Sequence, residues 1–152
     1  MNQRANIIAV CLSFLAACGG SPDGADSTSR AYSDMTEGER AVFMNDVVLP
    51  QMKATFKAFD AKFANMTCTT CHGEGVTTGT YAMPSAPIPK LPASEEAFFE
   101  YVKDPEHARW SQFMMDKVWP EMAALLEVPM FDPEKHMEGF SCNNCHQLEG
   151  VH

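Results

Sequence analysis

The sequence predicts an all-α domain in which one helical unit is used twice, with long loops between and after the copies. Three observations carry this. Apolar residues recur at helical spacing over two long stretches. The stretches also match each other. Phe43-Met44-Asn45-Asp46-Val47-Val48-Leu49-Pro50-Gln51-Met52 aligns with Phe113-Met114-Met115-Asp116-Lys117-Val118-Trp119-Pro120-Glu121-Met122 at an offset of 70 residues, with identity at six of ten positions. Finally, no run of useful length alternates apolar and polar residues as a strand would.

Each element has a local reason. Thr36-Glu37-Gly38-Glu39 has the capping-box pattern and is expected to start the first long helix. Met44, Val48, Met52, Phe56, Phe59 and Phe63 then form one apolar stripe. Asp104-Pro105 is expected to start the second helix, an acidic N-cap followed by Pro at the first helical position. Its stripe is Met114, Val118, Met122 and Leu125, and it should stop before Val128-Pro129. Pro50 and Pro120 occupy the same place in the two copies. Each removes a backbone hydrogen bond and should kink or divide its helix. Residues 76–92, with Thr, Gly and four Pro, read as loop. Ser94-Glu95-Glu96 opens a short helix to about Lys103, and Asp132-Pro133 starts a turn that Gly139 ends.

The N-terminus reads as an export signal. Arg4 supplies one positive charge, and residues 5–17 are an apolar run too short to span a bilayer. Leu15-Ala16-Ala17-Cys18 resembles the bacterial lipobox, which implies cleavage after residue 17 and lipidation of Cys18; the alternative is an ordinary signal peptide cut after Ala17. Gly19 after that Cys leans toward the outer membrane, by analogy with sorting in some bacteria. Residues 18–33, rich in Gly, Ser, Asp and Thr, read as a flexible tether. The expected organisation is a signal peptide at 1–17, a lipid-anchored linker at 18–33 and one domain at 34–152. The repeat units cover about 36–80 and 104–152. A domain of at most 119 residues has a modest core of its own.

Each helix leads into the same five-residue pattern. The copies are Cys68-Thr69-Thr70-Cys71-His72 and Cys142-Asn143-Asn144-Cys145-His146. C-x-x-C-H is the attachment signature of c-type haem: two thiols bond the porphyrin and the adjacent His is the proximal iron ligand. The chain has six Cys. Setting aside Cys11 in the export signal and Cys18 leaves only the four motif thiols, so no scattered disulfide framework is implied. The expected cofactor is therefore two covalent haems, held by Cys68, Cys71, Cys142 and Cys145, with His72 and His146 on iron. The alternatives are a four-Cys zinc site, although the spacing between the pairs is wider than in compact zinc ribbons, or paired disulfides.

The sixth ligands are less directly marked. Only residues 147–152 follow the second motif, and they contain no Met. Any intramolecular Met for that haem lies upstream, and the repeat extends this to the first haem. Met52 and Met122 occupy equivalent stripe positions, 16 and 20 residues before their motifs. They are the leading candidates, although Met on such a face also serves as core filler. Met44 and Met114 come next, then Met83. His136 and His107 would give bis-His ligation. His152 reads as a frayed terminus.

A Met-bearing helix upstream of each C-x-x-C-H resembles the haem units of the photosynthetic reaction-centre cytochrome c subunit. The resemblance covers residues 43–72 and 113–146. It implies that the helical Met, here Met52 and Met122, is the sixth ligand. This chain differs in having two units rather than four and a Pro within each helix. More broadly, the chain resembles exported multihaem c-type cytochromes, which implies electron transfer in the periplasm.

The formal charge of −9 includes +1 from Arg4, so the chain from Cys18 onward carries −10. Such acidity suits a redox partner with a basic docking face and argues against nucleic acid. It also serves solubility alone. The expected function is electron transfer by a membrane-tethered di-haem cytochrome, not an enzyme. The alternative is a five-coordinate haem that binds gases or reduces peroxide, since a C-terminal C-x-x-C-H also resembles cytochrome c-prime. No distal acid–base pair is assignable to that chemistry. A zinc-bound interaction domain is the third reading.

Overall fold

The computed structural model describes residues 31–149. The export signal, Cys18 and His152 lie outside the described residues.

After a 3₁₀ turn at Tyr32–Asp34 the helices are α1 (Glu37–Phe43), α2 (Leu49–Phe59), α3 (Cys68–His72), α4 (Gly75–Thr78), α5 (Glu95–Tyr101), α6 (Pro105–Phe113) and α7 (Trp119–Leu125). Two short strands, β1 (Leu91–Pro92) and β2 (Leu148–Glu149), pair in parallel with Leu91 opposite Leu148. The architecture is all-α apart from these. Strands of two residues carry no periodicity, which is why the sequence does not announce them.

Both helix starts are where the sequence places them. The Thr36 N–H donates to Glu39 Oε2 at 2.7 Å and the Glu39 N–H to Thr36 Oγ1 at 3.3 Å, closing the capping box. Asp104 Oδ1 accepts from the N–H groups of Glu106 and His107 at 2.8 and 3.1 Å.

The prolines act through a wider helical turn. A π-helical segment, Met44–Val48, joins α1 to α2, and its copy Met114–Val118 joins α6 to α7. The Leu49 N–H reaches the Met44 carbonyl and the Trp119 N–H the Met114 carbonyl, five residues back in each case. Pro50 and Pro120 then sit in the first turn of the following helix. A Pro ring would clash with the carbonyl four residues earlier, and the wider turn gives that carbonyl room. The repeat therefore holds in the backbone as well as in residue identity.

The extra residue in each π turn changes the buried face. Phe43 and Val48, five apart, are both buried, and Met52 and Phe56 continue that line. In the second copy the buried positions are Phe113, Ala123 and Leu126. Met114, Val118, Met122 and Leu125, the expected stripe, are half-buried against them. The first helix also ends earlier than its stripe implies. Asp60 leaves helical geometry and its carboxylate caps a 3₁₀ turn, Ala61–Asn65, so Phe63 packs from that turn. The expected loop at 76–92 begins with the single turn of α4.

The two long helical units run antiparallel. Gln51 of α2 donates to Glu121 of α7, and these are equivalent residues 70 positions apart. Thr55 Oγ1 donates to the same carboxylate at 2.7 Å. Further along α2, Phe56 meets Phe113 edge-on at 5.2 Å, and Phe59 stacks on Phe113 at 3.9 Å and meets Trp110 at 4.7 Å. Contacts therefore advance along α2 while they retreat along α7 and α6. Gln51 thus meets its own repeat equivalent where the two units pack together. Met35, Met52, Met66, Phe43, Val48, Phe56, Phe113 and Leu126 form the core.

A charged seam closes one end. Glu106 accepts from Arg109 Nε and Nη2 at 3.0 and 2.9 Å and from Trp110 Nε1 at 2.8 Å. The Arg109 guanidinium lies 4.4 Å from the Phe59 ring centre, and Lys62 Nζ lies 4.6 Å from that of Trp110. The Arg109 hydrogen bonds, then that of Trp110, hold the Glu106 carboxyl down to about 2 from an ordinary 4.5. A depressed carboxyl stabilises the fold above its ordinary pKa, and that contribution is lost as pH falls toward the folded value. Glu106→Gln should therefore unfold more readily than wild type at neutral pH. The gap should close as pH falls from 4.5 toward about 2 in chemical denaturation.

Candidate functional site

The helical turn explains the motif spacing. In α3, Cys68, Cys71 and His72 stand at i, i+3 and i+4 and share one face. The second copy forms a 3₁₀ turn, Cys142–Asn144, and the His146 N–H closes onto the Cys142 carbonyl at 2.8 Å. The same device opens both. The Thr67 N–H donates to Thr70 Oγ1 at 3.1 Å, and the Ser141 N–H to Asn144 Oδ1 at 2.7 Å. The residue between the cysteines thus fastens the residue ahead of them.

All four motif thiols are free. Burial raises the Cys71 thiol, with the neighbouring Cys68 charge adding to it, and burial raises Cys142. Cys145 is pushed up to about 11, first by burial, then by the charges of Cys71 and Cys142. Thiols raised in this way stay protonated at neutral pH. A dithiol built for disulfide exchange has a lowered pKa. Among the described residues, no three His, Cys, Asp or Glu side chains converge as metal donors, and tetrahedral zinc needs four.

The histidines are set alike. His72 Nδ1 lies 3.0 Å from the Tyr81 carbonyl oxygen, and His146 Nδ1 lies 2.7 Å from the Pro89 carbonyl oxygen. A carbonyl only accepts, so Nδ1 carries the proton in each ring. In a neutral ring held this way the lone pair is on Nε2, and the hydrogen bond orients the ring. This is the arrangement that metal-binding imidazoles use.

The candidate sixth ligands are distributed unevenly. Met52 is buried, only 4% exposed, in the core. Met122, Met44 and Met114 are half-buried against it, and Cys71 of the first motif packs on the same core. Cys71 and Met52 thus belong to one packed region. Met66, two residues before Cys68, is equally buried. Met83 is half-buried, and His136 is exposed in a turn where its N–H reaches the Asp132 carbonyl at 2.8 Å. His107 stacks on Tyr101 at 3.9 Å, with Nδ1 3.1 Å from the Tyr101 carbonyl oxygen.

Sequence reasoning missed the backbone acceptors Tyr81 and Pro89, together with Ser85, whose hydroxyl donates to the Cys71 carbonyl. The signal available was a proline-dense stretch lying between two motifs. Compared with known family models, curated proteins and solved structures, the chain has no match.

Proposed function

We propose that this chain is a di-haem c-type cytochrome that carries electrons beside a bacterial membrane, to which Cys18 tethers it through lipid. The observation that carries the reading is the matched state of His72 and His146. Each follows a C-x-x-C, each holds Nδ1 against a backbone carbonyl, and each leaves Nε2 as the ring nitrogen open to a metal. Cys68 and Cys71 would attach the first haem, and Cys142 and Cys145 the second. A bound haem supplies a one-electron iron couple.

The chain's own residues supply placement and environment. The α3 turn presents two thiols and an imidazole on one face, and in the second motif the His146 N–H closes a turn onto the Cys142 carbonyl. Met52 and Met122 are the proposed sixth ligands, which would keep both sites six-coordinate and raise their potentials relative to bis-His ligation. One short segment of chain reaches both imidazoles, through the Tyr81 and Pro89 carbonyls, which suits two haems that pass electrons between them. The acidic surface favours a partner with a basic docking face.

Optical spectra of protein matured in a cytochrome-c-competent host test this. Both haems are expected to be six-coordinate and low-spin in each redox state. A high-spin component that binds carbon monoxide would contradict the relay and favour gas binding or peroxide reduction. A colourless, zinc-loaded protein would contradict it altogether.

A further inference from the structure

The segment between the motifs does more than connect them. Contacts along residues 81–91 reach both motifs and the residues that follow them. On the first side, the Tyr81 carbonyl holds His72 Nδ1 at 3.0 Å and Ser85 Oγ donates to the Cys71 carbonyl. Ser85 is a buried polar residue, only 8% exposed. The Pro87 ring presses on Gly73, the residue after His72. A Cβ on Gly73 would meet the ring carbons at 2.7 and 2.8 Å, and its φ of +53° already favours glycine. On the second side, the Pro89 carbonyl holds His146 Nδ1 at 2.7 Å, and the Leu91 N–H donates to the Gln147 carbonyl at 2.9 Å. Leu91 also pairs with Leu148 in the parallel ladder.

We propose that residues 81–91 form one strap that positions both proximal imidazoles, so that a disturbance where it grips the first motif reaches His146 as well as His72. This rests on the di-haem reading. Stiffness makes transmission possible. Pro84, Pro87 and Pro89 fix φ at three positions, and a proline-rich segment moves as a semi-rigid piece. Ser85 and Pro87, which anchor the strap to the first motif, lie between the two carbonyls that orient the rings. Shifting them displaces Tyr81 on one side and Pro89 on the other. The electronic consequence has a sign. Donation from Nδ1–H to a carbonyl makes the imidazole a stronger base toward metal. A stronger base favours the ferric state, so weakening both hydrogen bonds raises both potentials.

The test is a potentiometric titration of the di-haem protein against Ser85→Ala and Gly73→Ala. Ser85→Ala removes only the hydroxyl that grips Cys71. Gly73→Ala pushes the Pro87 ring away, and if that chain fails to mature, Ser85→Ala alone decides. The strap predicts that both couples move to higher potential together, although each substituted residue touches only the first motif. A variant in which either couple stays at its wild-type value, or moves downward, overturns the strap while leaving the di-haem reading intact. Wild-type protein with fewer than two haems overturns both.

Discussion

Replacing Cys68 and Cys71 together by Ala should give a chain that still takes up one haem and loses half of its pyridine haemochrome signal. Replacing Cys142 and Cys145 should remove the other half. The motifs are separate turns, each with its own capping hydrogen bond and its own backbone carbonyl against the imidazole. A shared four-thiolate zinc site behaves differently, because removing two of four donors releases the whole ion. The variants should not be equally stable. Cys71 packs on the helical core, whereas Cys145 does not contact that cluster. Loss of the first pair should therefore lower the melting temperature of the helical signal more than loss of the second. Equal melting would contradict a core shared between the first motif and α2.

The second large effect concerns iron coordination. Met52→Leu conserves volume and apolarity at a buried position, and such exchanges cost below about 1.5 kcal/mol. Met122 is only half-buried, so its exchange should cost less. If these residues are core filler, nothing beyond that small loss follows. If they are ligands, each variant turns one haem high-spin and removes part of the weak thioether–iron band of the oxidised spectrum. The altered haem should also titrate at a lower potential. Unchanged spectra and potentials in both variants would move the same test to Met44 and Met114, then to Met83, His136 and His107.

What the sequence makes legible is what residue type controls. Thr36 with Glu39, and Asp104 with Pro105, start helices because a side chain must satisfy amide groups that no helical turn can reach. The repeat was legible through shared Phe, Met, Pro and Val, and it extends to π turns at identical offsets. The π geometry itself was hidden. A Pro in a helical pattern signals disruption, and the form of disruption depends on whether the preceding turn widens or the axis bends. That choice moved the buried positions of the second copy to Phe113, Ala123 and Leu126. The motif cysteines and histidines were legible because the proposed thioether and imidazole chemistry requires those residue types. The groups that orient the histidines were not, because any residue can offer a carbonyl. Tyr81 and Pro89 serve through the path of the backbone, and that path is set by the prolines and Gly73 acting together.

The most direct measurement is the intact mass of the purified chain under denaturing conditions, after maturation in a host competent for c-type cytochromes. The account predicts a mass increased by two haems per chain that survives denaturation, since each would be bonded through Cys68 and Cys71 or through Cys142 and Cys145. An increase of one haem, or none, would contradict it.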